Sequence, residues 1–179
     1  MTTATEVALV LVFFIAAVVN GVAGLGFALV ASAFTAVIVD PRLAVLLLGA
    51  VTPIANVQQL LLHRRYRDVL RRLIAPLIGA ALGVIVGAAL LATLPIAVLS
   101  LFFGGFTLWY VATELRRGAA QIPRPLPAPV PVAIGAVAGV TNGVVGASGP
   151  ILGSYLSGLG LKPREFIFAI SSMFFAMES

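Results

Sequence analysis

The stretch "TNGVVGASGP", residues 141–150, sets Thr, Asn, Ser, Pro and three Gly inside a long apolar run. A continuous membrane-crossing helix has no use for such an interruption, because Gly and Pro weaken helix interiors and freed peptide groups cannot be hydrated in lipid. A similar interruption, "NGVAGLGFA", occurs at residues 20–28. The two runs align without gaps at a fixed offset, Asn20 with Asn142, Gly21 with Gly143, Val22 with Val144 and Gly24 with Gly146. The same register pairs Ala16 with Ala138, Ser32 with Ser154, Pro41 with Pro163 and Arg42 with Arg164. Chance similarity between apolar segments would match Leu, Val and Ala, not Asn-Gly and Pro-Arg pairs.

Composition supports a membrane setting. The 179 residues are 61% hydrophobic and 9% charged, far below the quarter of charged residues usual in soluble domains. The net charge of +5 does not point to nucleic acid, since the arginines cluster in short stretches between apolar runs and not on one basic face. There is no cysteine, which excludes disulfides and thiolate metal sites; no metal or cofactor is expected. The N-terminus has no basic region ahead of its apolar run and reads as mature protein, not as a signal peptide.

Segments 43–62, 73–93 and 96–113 are long enough to span, at about 20 residues each. The runs 7–38 and 130–161 are longer, roughly 48 Å if straight, against a hydrocarbon core of about 30 Å. Each is interrupted near its middle and reads as a broken helix. Arg64, Arg65, Arg67, Arg71 and Arg72 lie in one loop and Arg116, Arg117 and Arg124 in another, two spans away; both loops share a side, cytoplasmic by the positive-inside rule. Trp109 and Tyr110 suit an interfacial belt on that side, and 123–131 is a stiff Pro-rich linker.

The expected architecture is an all-α, multi-span bundle with an internal repeat and two broken helices. Residues 1–131 form the first repeat: broken helix 7–38, spans 43–62, 73–93 and 96–113, and linker 114–131. Residues 132–179 form a second, incomplete repeat: broken helix 132–161 and the start of a further span at 166–179. Loop charge favours re-entrant breaks and inverted halves, with the N-terminus and 39–42 outside and 162–165 inside, over breaks that cross fully.

Duplicated, broken helices are the pattern of secondary transporters. Their half-helix N-termini present free N–H groups, which hold anions without a cationic side chain. Here the spans are almost free of ionisable groups, Glu178 excepted. The expected substrate-binding set is Asn20, Gly21, Gly24, Gly26, Asn56, Thr141, Asn142, Gly143, Gly146, Ser148 and Gly149, with Thr52 and Gln59 nearby. Asn56 pairs with Glu178 in the repeat register. The stripe Gly79, Gly83 and Gly87 reads as helix packing. Pro53 and Pro76 read as kinks, with Thr52 placed to satisfy a freed carbonyl, and His63 as a headgroup-level residue.

With "NGVAGLGFALV" opening one half, "GVTNGVVGASGPILGSYL" the other, and the turns "GLGLKPRE" and "VIVDPRL" following, the chain resembles the sulfite exporter TauE/SafE family of membrane transporters. The resemblance implies movement of small sulfur-containing anions such as sulfite, sulfoacetate or related organosulfonates across the cell membrane. Where the family carries glycine pairs, this chain has Gly26-Phe27 and Ser148-Gly149, which implies a pocket of different size. The expected partners are a small anionic substrate and the lipid bilayer, with self-association left open. Two other readings remain. In one, the small residues only pack helices and the chain is a non-transporting scaffold or a degenerate fragment. In the other, "GASG" at 146–149 makes Ser148 the nucleophile of a rhomboid-like intramembrane protease, which would require an adjacent base, while the one histidine, His63, is in a basic loop.

Overall fold

A computed structural model of the chain describes residues 3–23, 27–116, 126–127 and 129–178. Among these the regular structure is helical: α1 (Thr3–Ala23), α2 (Phe27–Ile38), α3 (Pro41–Leu62), a 3-10 segment (Arg64–Val69), α4 (Leu70–Thr93), α5 (Ile96–Arg116), α6 (Pro129–Val145), α7 (Gly149–Gly158) and α8 (Pro163–Glu178). Three helical stretches are long and apolar enough to cross a membrane, Pro41–Leu62, Arg64–Thr93 and Ile96–Thr113. They coincide with the three spans read from hydropathy, except that the helix leading into 73–93 begins earlier and carries Arg71 and Arg72. Their outer faces expose residues such as Ile85, Leu101 and Leu108, the surface expected against lipid.

Local chemistry sets the helix ends. α3 starts where the Asp40 carboxylate accepts from the Arg42 N–H at 2.8 Å, with Pro41 in the first turn, a position where no N–H is needed. α8 starts in a related way at Pro163, with the Glu165 carboxylate reaching back to the Lys162 N–H at 2.9 Å, the return half of a capping box. α4 stops before Pro95, which forces Leu94 into extended backbone (ψ 144°). Linker 114–131 is shorter than the hydropathy reading: α5 continues to Arg116 and α6 already begins at Pro129, because Pro129 and Pro131 lie in a first turn that tolerates proline. Residues 117–125 and 128 of that linker lie outside the described residues, as do Gly24, Leu25 and Gly26.

The centre of the bundle is the α4–α6 pair. A Cβ placed on Gly79, Gly83 or Gly87 would run into the backbone of Val132, Ala136 or Val140. One placed on Gly135, Gly139 or Gly143 would run into Pro76, Ala80 or the Gly87–Ala88 segment. Glycines four apart on both helices therefore interdigitate, and the backbones approach as only small residues permit. α8 lies against this pair and against α3, burying Leu73, Ala138, Leu152, Leu156, Ala169 and Met173 in one cluster. A second cluster joins Leu99 and Phe103 of α5 to Val144, Val145 and Ala147. A third joins Ala16 of α1, Ala31 of α2 and Leu48 of α3. Phe13 and Val30 pack against that third cluster; in a straight helix they would be about 25 Å apart, so α2 folds back along α1.

Candidate functional site

The run 130–161 breaks where its glycines stand. α6 ends at Val145, α7 begins at Gly149, and Gly146 between them takes a φ of +71°, the left-handed region that glycine enters without steric cost. The Gly146 N–H still donates to Asn142 O at 2.8 Å. Beyond it, Ser148 O accepts from the N–H groups of Ile151 (3.1 Å) and Leu152 (3.1 Å), opening α7. Pro150 has no N–H. That leaves Ala147, Ser148 and Gly149, and among the described residues no main-chain carbonyl accepts from their N–H groups. Successive N–H groups after a left-handed residue form an anion-binding concavity.

Two polar side chains converge on this turn from within the bundle. Ser148 Oγ, fully buried, donates to Asn142 Oδ1 at 3.2 Å and lies 3.9 Å from Met177 Sδ. Asn142 is 6% exposed, and its Nδ2 hydrogens have no partner among the described residues. The walls are apolar: Leu48 and Val45 of α3 face Gly146, and the Phe174 ring lies beside Gly149. The result is a set of donors at a buried, apolar-walled turn, with no cationic side chain among these neighbours. Such a set can hold the oxygens of a small anion by hydrogen bonding alone. Neither Asn142 nor Met177 can take a proton from Ser148, so these contacts do not build the base that a serine nucleophile needs.

The other expected site residues divide. Gly143 lies in the α4–α6 seam, where an added Cβ would be 2.8 Å from Ala88 N and Gly87 Cα. Thr141 Oγ1 donates to Val137 O one turn back, at 2.7 Å. Thr52 Oγ1 likewise donates to Leu48 O at 2.8 Å, and not to the Gly49 carbonyl that Pro53 leaves free, because the hydroxyl of a helical Thr folds back onto the carbonyl four residues before it. Asn56 Nδ2 donates to Glu178 Oε2 at 2.9 Å, so the two residues that share a register position 122 apart meet directly. Asn20 and Gly21 lie in the last turns of α1, and the Asn20 side chain, Gly24 and Gly26 are outside the described residues. His63 is half-buried, with its ring Nδ1 3.1 Å from Gln59 O.

Sequence reasoning missed one contributor to the turn, Met177, and one buried polar residue, Thr35. Met177 belongs to an apolar stretch, and nothing in its neighbours marks it as the residue above Ser148. Thr35 of α2 is fully buried, and among the described residues its Oγ1 has no partner; a lone Thr in an apolar helix gives no signal, since most bond their own backbone.

No curated protein and no solved structure matches the chain. A family model does: the model described as sulfite exporter TauE/SafE covers residues 9–179. That match takes in both interrupted runs, the three membrane-length helices and the buried turn at Ser148, and the chain belongs to the sulfite exporter TauE/SafE family of membrane transporters.

Proposed function

We propose that the chain moves a small sulfur oxyanion, sulfite or an organosulfonate, across the cell membrane as part of a multi-pass transporter. The anion is held at the 146–148 turn by the N–H groups of Ala147, Ser148 and Gly149 and by the Asn142 amide. The observation that carries this reading is the run of N–H groups at a buried turn, beside the Asn142 Nδ2, that have no partner among the described residues. Unsatisfied peptide groups at membrane depth are tolerated where they line a ligand or water cavity, and a sulfonate or sulfite oxygen accepts what they offer.

In this account the first interrupted run, with Asn20, Gly21, Gly24 and Gly26, forms the matching half of the site, and the two halves are an inverted repeat. The meeting of Asn56 with Glu178 supports the repeat, because equivalent positions touch where a two-fold axis passes between them. The fold-back of α2 along α1 supports re-entrant breaks. Gly143 serves the site indirectly, by letting α6 lie on α4 so that the turn stays fixed. Uptake of labelled sulfite into proteoliposomes is the test, comparing the full chain with Gly24→Leu and Gly146→Leu. Saturable uptake in the parent, lost in both variants, is expected. Unchanged uptake in both would reduce these glycines to helix packing, and no uptake in the parent would favour the scaffold reading.

A further inference from the structure

Glu178 is the one acidic side chain that α8 carries into the bundle at this end, and the transport reading gives its charge no part. An ionisable residue within a membrane segment is costly and marks ion or proton pathways by default. Its placement is specific. It follows Met177, whose sulfur touches Ser148, so Glu178 is one residue along α8 from a contact of the anion turn. On the facing helix, Leu48, Thr52 and Asn56 recur one turn apart and so share a face. Leu48 packs at Gly146, Asn56 donates to Glu178, and Thr52 also neighbours the carboxyl.

Thr52 Oγ1 donates to Leu48 O, and rotation of this hydroxyl lets it donate to a Glu178 carboxylate or accept from a Glu178 carboxylic acid, while Asn56 Nδ2 donates to either form. Both protonation states have partners ready. Other charged or titratable groups on the packed elements are Arg42 on α3, Arg64, Arg65, Tyr66, Arg67 and Asp68 in the 3-10 segment, Arg71 and Arg72 on α4, Tyr155 on α7, and Arg164 and Glu165 at the far end of α8. None forms an ion pair with Glu178 among the described residues, and Arg42 is committed to the carbonyls of Leu91 and Leu94.

We propose that Glu178 carries the proton that accompanies the anion, making the chain a proton-coupled anion symporter; this rests on the transport reading above. The carboxylate takes a proton from water on one side, which removes a negative charge from the bundle as the substrate enters. It returns the proton to water on the other side as the substrate leaves. For a monoanion the load is neutral, which avoids moving net charge through the low-dielectric interior.

The test uses the full chain in proteoliposomes and labelled methanesulfonate, an anion whose own charge does not change over the pH range used. Exchange of label at equal pH on both sides reports transport without coupling. Accumulation driven by an acidic exterior reports coupling, and one pH unit supports about tenfold accumulation for one proton per anion. The expected result is that the parent does both, Glu178→Gln exchanges but does not accumulate, and Glu178→Asp retains accumulation. Exchange without accumulation in the parent would overturn the coupling and leave transport standing. Accumulation by Glu178→Gln, or loss of exchange in both variants, would also overturn it. No exchange in the parent would overturn the transport reading itself, and the inference with it.

Discussion

Ser148 and Asn142 hold each other, and the cost of separating them defines what each contributes. Ser148→Ala removes the donor to Asn142 Oδ1, and a neutral hydrogen bond of this kind contributes about 1 kcal/mol. The variant should melt about 2–4 °C lower in detergent, and the half-saturating sulfite concentration for uptake should rise, because Asn142 loses the contact that orients its amide. Thr35 is the reverse case. Its buried hydroxyl has no partner among the described residues, so Thr35→Val replaces an unsatisfied group with one of similar shape and should leave thermal stability in detergent unchanged or raised by up to about 2 kcal/mol. A clear loss of stability would mean that the hydroxyl is bonded in the folded protein. The Ser148–Asn142 neighbourhood was legible because polar residues beside glycines inside an apolar run are chemically out of place. Thr35 and Met177 were not, since each is at home in such a run and only its surroundings make it unusual.

At the scale of the element, the glycines divide between two jobs that sequence alone does not separate. Gly79, Gly83 and Gly87 were readable as a packing stripe, but their mate was hidden. Gly135, Gly139 and Gly143 have the same four-residue spacing, and Gly143 also belongs to the Asn-Gly run that suggested a ligand. Backbone approached by backbone and backbone approached by substrate both require glycine. The distinction is measurable. Gly83→Val or Gly139→Val forces a side chain into the facing helix, and overpacking costs about 1–3 kcal/mol or more, so both should lower the melting temperature in detergent. Gly104→Val, where an added Cβ meets nothing within 4 Å, is the control and should leave it unchanged. The α3–α4 corner gives an independent check. Arg42 donates to Leu91 O at 3.0 Å and to Leu94 O at 2.9 Å, binding the open end of α4. Arg42→Ala should lose about 1–3 kcal/mol of stability, most of it recovered by none of the other residues at that corner.

For the whole molecule, the hydropathy reading located the three membrane-length helices because a span is a long, one-signal feature. The second break was legible for the same reason, as excess length plus Gly in one run. How α8, α3 and the α4–α6 pair come together was not legible, because packing partners among equally apolar helices are chosen by shape. The sidedness proposed from loop charge puts Thr3 outside and Lys162 inside. Single cysteines at those positions, probed with an impermeant thiol reagent on intact cells, should label at 3 and not at 162; the opposite pattern would replace inverted halves with parallel ones. The central claim, that the 146–148 turn holds an anion by uncharged donors, is tested most directly by equilibrium binding of labelled sulfite to the purified full chain and to Asn142→Asp. A carboxylate about 4 Å from the bound anion would oppose it by up to roughly 4 kcal/mol at an effective dielectric near 20. Saturable binding in the parent, weakened at least about tenfold in a variant that still melts normally, is the predicted result. Equal binding by both proteins, or none by the parent, would contradict it.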